Sequence, residues 1–287
     1  GFQGLKPTLD IIKFTKIIAI ANKESIICGW NLIKKDLKKY DTYFIPVDSE
    51  HFSIWSLLDN DKKNNFEKIY ITASGGPFRK LSLKKFGNIS INDALKHPNW
   101  SMGKKITIDS ATMMNKVFEV IEAKKIFDLN YNQLEILIHP KSYLHAIVKF
   151  NNGLSKLLVH DTNMTIPIFN SIYFNTNKKL KSKNIDMETL NDLNLKKVDN
   201  IRFPIIKILN NMSEKDSLFE TIIVSANDKL VNLFLSGKIS FNNISNILLK
   251  ICHMREFNKF KSKRPKNINE IYDLADYVSL KIGSMSV

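Results

Sequence analysis

Apolar residues fall in short runs separated by polar turns, and the runs switch between the two periods that distinguish strand from helix. Lys16–Ala21 (KIIAIA) is a continuous apolar run of strand length and predicts a buried strand. Asn22 follows, with Glu24 and Ser25 in the next turn, and predicts a capped helix running to about Lys39. Thr42–Val47 and Glu67–Ala73 predict two further strands, so the opening is a strand–helix–strand unit of α/β type. Past the loop around Trp100 the pattern predicts a short strand, then a helix whose first turns carry Ser110, Thr112, Asn115 and Lys116. Glu135–Ile138, His145–Phe150 and Leu154–His160 alternate as strands, the last two joined by a hairpin at Asn151-Asn152-Gly153. Residues 176–200 are Lys/Asn-rich with weak periodicity and read as a linker. Beyond them Ser225–Leu235 and Ile244–Cys252 predict helices, and Ile271, Leu274, Ala275, Val278 and Ile282 follow the i, i+3, i+4, i+7 spacing of a third. The fold class is α/β: a mixed α/β region followed by a C-terminal helical bundle over 201–287.

At 287 residues the chain is long enough for more than one core. Lys and Arg exceed Asp and Glu by 43 to 28, a net +15 that prompts a nucleic-acid reading. The charge is spread along the chain rather than clustered, and no fingerprint of a nucleic-acid-binding fold accompanies it. Nucleic acid is therefore not an expected partner, and the basic surface instead suits steering of an anionic small molecule. Cys28 and Cys252 are far apart and lack metal-type spacing, which fits a reducing compartment. No apolar run reaches membrane-spanning length, so no membrane association is expected. The start, GFQGLKPTLD, has no initiator Met and reads as mid-domain sequence.

Five segments carry candidate chemistry. Asp48 and Glu50 in PVDSEH would point to one side of an extended chain, and with Glu119 would suit a hard divalent cation. All-oxygen donors favour Mg²⁺ or Mn²⁺ over Zn²⁺; the plainer reading of Asp-x-Glu is a solvated turn. Ser74-Gly75-Gly76-Pro77 after a strand is either an anion-binding nest or an ordinary turn. Asn22-Lys23-Glu24-Ser25 stands at a strand-to-helix junction, where α/β sheets place ligand groups, and serves equally as a helix cap. His97-Pro98-Asn99-Trp100-Ser101-Met102-Gly103 has the make-up of a mobile cover, though a loop Trp is often simply packed. His139-Pro140-Lys141-Ser142 with His145 is the weakest of the five. Across these segments, Ser110, Thr112, Asn115 and Lys116 at a helix N-terminus are expected to form a phosphate seat, and Glu119 one turn on calls for a cation between it and the anion.

Taken jointly, LKPTL, ANKES, PVDSEH, TASGGPF, HPNWSMGKKITIDSATMMNK, EVIEA and HPKS resemble the 1-deoxy-D-xylulose 5-phosphate reductoisomerase family in order and spacing. The resemblance implies an NADPH- and metal-dependent rearrangement and reduction of a phosphorylated sugar to 2-C-methyl-D-erythritol 4-phosphate. It implies metal ligation (Mg²⁺ or Mn²⁺, with Co²⁺ a further option) by Asp48, Glu50 and Glu119, with Glu122 in support. Substrate contacts would come from Ser49, Ser74, His97, Ser110, Asn115 and Lys116, and cofactor contacts from Asn22, Glu24, Met102 and Gly103. Lys23, Glu50, His97, Trp100 and His145 would carry catalysis or keep the site ordered, Trp100 within a lid. Residues 1–47 would be the last part of a doubly wound NADPH-binding domain, and 48–175 the catalytic domain. The family also implies a homodimer, in the cytoplasm if bacterial or the plastid stroma if a transit peptide was removed. Two departures stand out. No Gly-rich dinucleotide turn is present, so a chain of this extent alone is expected to bind NADPH poorly. Asp228 occupies a position where Glu is expected, in the helical region and away from the chemistry. The alternative is a non-catalytic fragment that keeps phosphate and metal binding only.

Overall fold

A computed structural model describes residues 1–58 and 66–285. In chain order the regular elements are α1 (Leu5–Ile12), β1 (Ile17–Ile20), α2 (Lys23–Tyr40), β2 (Tyr43–Pro46), α3 (Ser49–Leu58), β3 (Phe66–Ala73), α4 (Ile91–Ala94), α5 (Lys104–Thr112) and α6 (Met114–Ile126). There follow β4 (Leu134–Ile138), β5 (Leu144–Phe150), β6 (Ser155–Val159), α7 (Thr165–Ile172), α8 (Met187–Asn191), β7 (Lys196–Lys197), α9 (Phe219–Leu235), α10 (Phe241–His253), α11 (Arg255–Asn258) and α12 (Ile268–Ser284).

β1 and β2 pair in parallel, connected by α2, as the opening pattern predicts. Only Ile20 of β1 is buried, while Ile17 is half exposed, so this strand is less enclosed than its apolar run implies. The cap is as expected: the Asn22 side chain accepts from the Ser25 N–H at 3.0 Å. α1 (LKPTLDII), for which the pattern predicts no element, lays Leu5 on α2 so closely that a Cβ on Gly29 would come 2.5 Å from Leu5 Cδ1. α2 accordingly departs from helical geometry at Gly29.

The second sheet has the order β6-β5-β3-β4-β7, with β3 and β4 parallel and the other pairings antiparallel. β7 is a correction to the linker reading of 176–200, because it pairs with β4 through Leu137↔Lys197 and Ile138↔Lys196, and α8 precedes it. Two exposed lysines give no period, so pattern alone does not reveal such a strand. α6 is buried along most of its length and packs against α2, β3 and β4. α9 forms the core of the C-terminal helices with α10 and α12, and also packs against α2 and α5.

The strand expected before Ser110 is not formed. Lys104–Thr112 is helical (α5), with Thr107, Ile108, Ala111 and Thr112 turned inward at helical spacing. Burial of that face outweighs the β-branched composition of Ile-Thr-Ile. α5 ends at Met113, a buried non-glycine residue at φ +69°, and α6 starts again immediately. Ser110 therefore lies at the C-terminal end of one helix, and Asn115 and Lys116 in the first turn of the next. The left-handed residue carries a strain of about 1–2 kcal/mol, held in place by the packing around it.

Candidate active site

A cleft of about 560 Å³ runs between the carboxyl ends of β2 and β3, the loop over 97–103 and the α5–α6 junction. Asp48 follows β2, and Glu50 sits in the first turn of α3, so this stretch is not the extended chain that strand alternation supposed. The two carboxylates still converge, because the chain bends into a helix between them. Glu119 joins them from α6, and one oxygen from each of Asp48, Glu50 and Glu119 lies within 4.8 Å of the others.

Two buried lysines hold these acids together. Lys23 Nζ, at the start of α2, lies 2.7 Å from Asp48 Oδ2, 3.1 Å from Glu122 Oε2 and 3.7 Å from Glu119 Oε1. Lys116 Nζ lies 2.6 Å from Glu50 Oε1 and 2.5 Å from Glu119 Oε2. Burial opposes both charges, yet the surrounding carboxylates raise both lysines above their ordinary value. They are fixed positive charges, not bases. Burial also opposes the Asp48 charge, but Lys23 and His51 hold its carboxyl well below the usual range. Glu119 goes the other way: burial and the Glu50 carboxylate push it up to about 7. Asn115 Nδ2 donates to Glu119 Oε1, and Ser49 Oγ donates to Glu50 Oε2 at 2.5 Å.

His51 carries no signal of its own in the sequence. Burial lowers its basicity, but Glu122 and Asp48 raise it to about 9. As an imidazolium it donates through Nδ1 to Asp48 Oδ1 at 3.0 Å and through Nε2 to the Glu119 carbonyl at 2.9 Å. It braces two of the three clustered acids from behind, and Glu122 stands 3.5 Å from its Nδ1. Only the fold brings these partners together; the sequence offers just the His at the end of PVDSEH.

The loop over 97–103 is organised by His97. Its Nδ1 accepts from the Asn99 and Trp100 N–H groups at 3.2 and 2.9 Å, which leaves Nε2–H to face Ser74 Oγ at 3.3 Å. Burial and Lys116 pull this imidazole down to about 4, so it is neutral near pH 7. Asn99 Nδ2 ties the loop to the Pro140 carbonyl at 2.8 Å and to Ser142 Oγ at 2.9 Å. HPKS, the weakest motif, is thus the loop's anchorage. Ser74 Oγ also accepts from the Gly76 N–H at 3.1 Å, and a Cβ on Gly76 would come 3.0 Å from the Ser110 carbonyl. Glycine there lets the end of β3 meet α5.

Lys23, Glu24, Asp48, Ser49, Glu50, Ser74, His97, Trp100, Met102, Gly103, Ser110, Asn115, Lys116 and Glu119 all line this one cleft. Two expected residues do not. Asn22 is spent on the α2 cap and on the Gly1 carbonyl. His145 is buried behind Trp100, with ring centroids 6.3 Å apart; it stacks on His160 at 3.7 Å and donates from Nε2 to the His160 carbonyl. Asp228 is a further correction: far from being remote, its Oδ1 lies 2.9 Å from Nζ of Lys105, a cleft residue.

Family models match three parts of the chain: 1-deoxy-D-xylulose 5-phosphate reductoisomerase over residues 1–29, its C-terminal domain over 44–127, and the DXP reductoisomerase C-terminal domain over 160–278. The chain is 86% identical to 1-deoxy-D-xylulose 5-phosphate reductoisomerase of Pelagibacter ubique across all of its length and 74% of the relative's. It is 37% identical to that of Sulfurihydrogenibium sp. over 99% of its length and 75% of that protein. Among solved structures, the Zymomonas mobilis reductoisomerase in complex with NADPH superposes with a TM-score of 0.87 at 29% identity, over all of this chain and 73% of that one. A reductoisomerase in complex with NADPH, fosmidomycin and magnesium gives 0.89 at 30% identity, over 99% and 73% of the two chains.

Proposed function

The chain belongs to the 1-deoxy-D-xylulose 5-phosphate reductoisomerase family, and from that membership we propose how its cleft performs the family reaction. The activity is the NADPH- and divalent-metal-dependent rearrangement and reduction of 1-deoxy-D-xylulose 5-phosphate to 2-C-methyl-D-erythritol 4-phosphate. One observation carries the assignment of roles: three carboxylates, two buried ammonium groups and the Ser74, Ser110 and Asn115 side chains face one cleft. A non-catalytic binding fragment is not favoured, since the chain is 86% identical to a reductoisomerase over its whole length.

The donor set fits a hard divalent ion: all oxygen, mutually close, and already gathered around positive charge. Asp48, Glu50 and Glu119 would hold Mg²⁺ or Mn²⁺, which supplies Lewis acidity toward the substrate's neighbouring oxygens, while NADPH supplies hydride. Lys23 keeps Asp48 ionised and in place, and presents positive charge to oxygens that gain negative character. Lys116, with Ser74, Ser110 and Asn115, would take the substrate phosphate, so its carboxylate partners are exchanged for phosphate oxygens. The neutral imidazole of His97 acts as a hydrogen-bond donor through Nε2, and its grip on the Asn99 and Trp100 amides couples the phosphate side to the loop. Trp100 closes the cleft against water, backed by the stacked His145 and His160 rings. Glu24, Met102 and Gly103 would meet the nicotinamide end of the cofactor.

The test is steady-state NADPH oxidation by the full native-length protein with 1-deoxy-D-xylulose 5-phosphate, with Mg²⁺ and again with EDTA. Turnover that requires the metal is expected; none from a folded protein with Mg²⁺ or Mn²⁺ would overturn the reading.

A further inference from the structure

Lys105 stands in the first turn of α5, two residues after Gly103, and its ammonium is shared by acids from three elements. Nζ lies 2.7 Å from Glu24 Oε1 of α2, 3.1 Å from Asp109 Oδ2 of α5 and 2.9 Å from Asp228 Oδ1 of α9. It also lies 5.5 Å from the ring centroid of Phe118 on α6. The joint continues into the C-terminal helices, because Asn227 Nδ2 donates to Asp109 Oδ1 at 2.7 Å. Asp109 and Asn227 are buried, and Lys105 and Asp109 line the cleft beside Glu24.

Four helices therefore meet at one ammonium. Gly103 caps α5 without a side chain of its own, and its carbonyl accepts from the Thr107 N–H at 3.1 Å. Whatever fixes the first turn of α5 fixes Gly103 and, through it, Met102. Removing one partner from a partly buried ion-pair network leaves the others with less compensated charge and shifts them.

We propose that Lys105, Asp109, Asn227 and Asp228 are positioning residues that carry the placement of α9 to Glu24 and to the trailing end of the 97–103 loop, and so set the affinity for NADPH. The inference rests on the reading that Glu24, Met102 and Gly103 meet the cofactor. It gives the C-terminal helices a part in cofactor binding, with none of their residues touching the cofactor.

The experiment uses the full native-length protein. Asp228→Asn removes the charge at nearly constant shape, and Asp228→Glu returns it on a longer arm. NADPH binding is read by the cofactor's own fluorescence, alongside KM for each substrate, kcat and the Mg²⁺ half-saturation point. Asp228→Asn is expected to raise Kd and KM for NADPH about fivefold. The values of kcat and Mg²⁺ half-saturation should hold, and Asp228→Glu should return toward the unsubstituted protein. A lower melting temperature with unchanged NADPH affinity overturns the proposal by reducing the joint to scaffolding. Absence of NADPH binding by the unsubstituted protein overturns the underlying reading, and this inference with it. Should Asp228→Asn fail to fold, Asn227→Ser, which deletes the hydrogen bond to Asp109, is judged by the same outcomes.

Discussion

Replacing Glu119 with Gln should stabilise the metal-free protein and blunt its response to magnesium. In the cleft Asp48, Glu50, Glu119 and Glu122 face two ammonium groups and the His51 imidazolium, so acid is in excess until a cation arrives. The Glu119 carboxyl titrates at about 7 rather than its ordinary 4.5, because of burial and the Glu50 charge. An acid whose folded value is raised binds its proton more tightly in the folded state. Stability is then greatest below the ordinary value and is lost as pH rises through the folded one. The rise from 4.5 to about 7 corresponds to about 3 kcal/mol lost by pH 8. Glutamine removes that cost, which already contains the Lys116 attraction, but sets an NH2 against the Asn115 or Lys116 donor where a carboxylate oxygen accepts, a loss of about 1–3 kcal/mol, so the net gain is about 1 kcal/mol. For a chain of this size that is about 2 °C.

Magnesium should reverse the order. At a hundred times its dissociation constant an ion that binds only the folded state stabilises by about 2.7 kcal/mol. A ten- to hundredfold loss of affinity, itself a conservative figure for deleting a ligand, leaves about 0.4–1.4 kcal/mol. The assay is a melting series of both proteins at pH 5, 6, 7 and 8, in EDTA and in Mg²⁺. The variant should gain on the parent as pH rises in EDTA and lag behind it in magnesium. A variant less stable than its parent at pH 8 in EDTA, with an undiminished magnesium shift, would refute the reasoning about the acid cluster.

Two further substitutions probe the other half of the cleft. Lys116→Ala should lower kcat/KM for the phosphorylated substrate by at least about 30-fold, the scale for truncating a buried charged partner. Its preference over the dephosphorylated sugar should shrink in step; an unchanged preference would place the phosphate elsewhere. Trp100→Ala should leave the melting temperature close to the parent's and cut kcat/KM by about tenfold or more, because the loop loses its stop against His145. Parental kinetics in that variant would remove the loop's covering role.

How much of this was legible beforehand differs from element to element. The apolar runs and the Asn22 cap predict the opening unit and the hairpin at 151–153 correctly, since local pattern decides both. The short strand before Ser110 fails because Ile-Thr-Ile reads as β by composition, whereas the burial that makes it helical comes from α6 and α9, which local pattern does not contain. Asp48 and Glu50 converge as expected for the wrong reason: a helix start, not strand alternation, brings them together. No spacing announces His51, His160 or Lys105, because each matters through partners distant in the chain. His145 is expected either to contact the substrate or to keep the site ordered, and which of the two its place behind Trp100 suits depends on what lies in front of it.

The ring of His97 reaches in two directions at once, to the loop amides through one nitrogen and to the Ser74 hydroxyl through the other. Any ligand that claims the Ser74 hydroxyl therefore alters the footing of the segment two residues past the imidazole, and the effect must run equally in reverse. Grip on a distant, unreactive part of the substrate and ordering of the cover become two readings of one equilibrium. A molecule lacking that distant part is left with an unsettled roof, however well its remaining atoms fit.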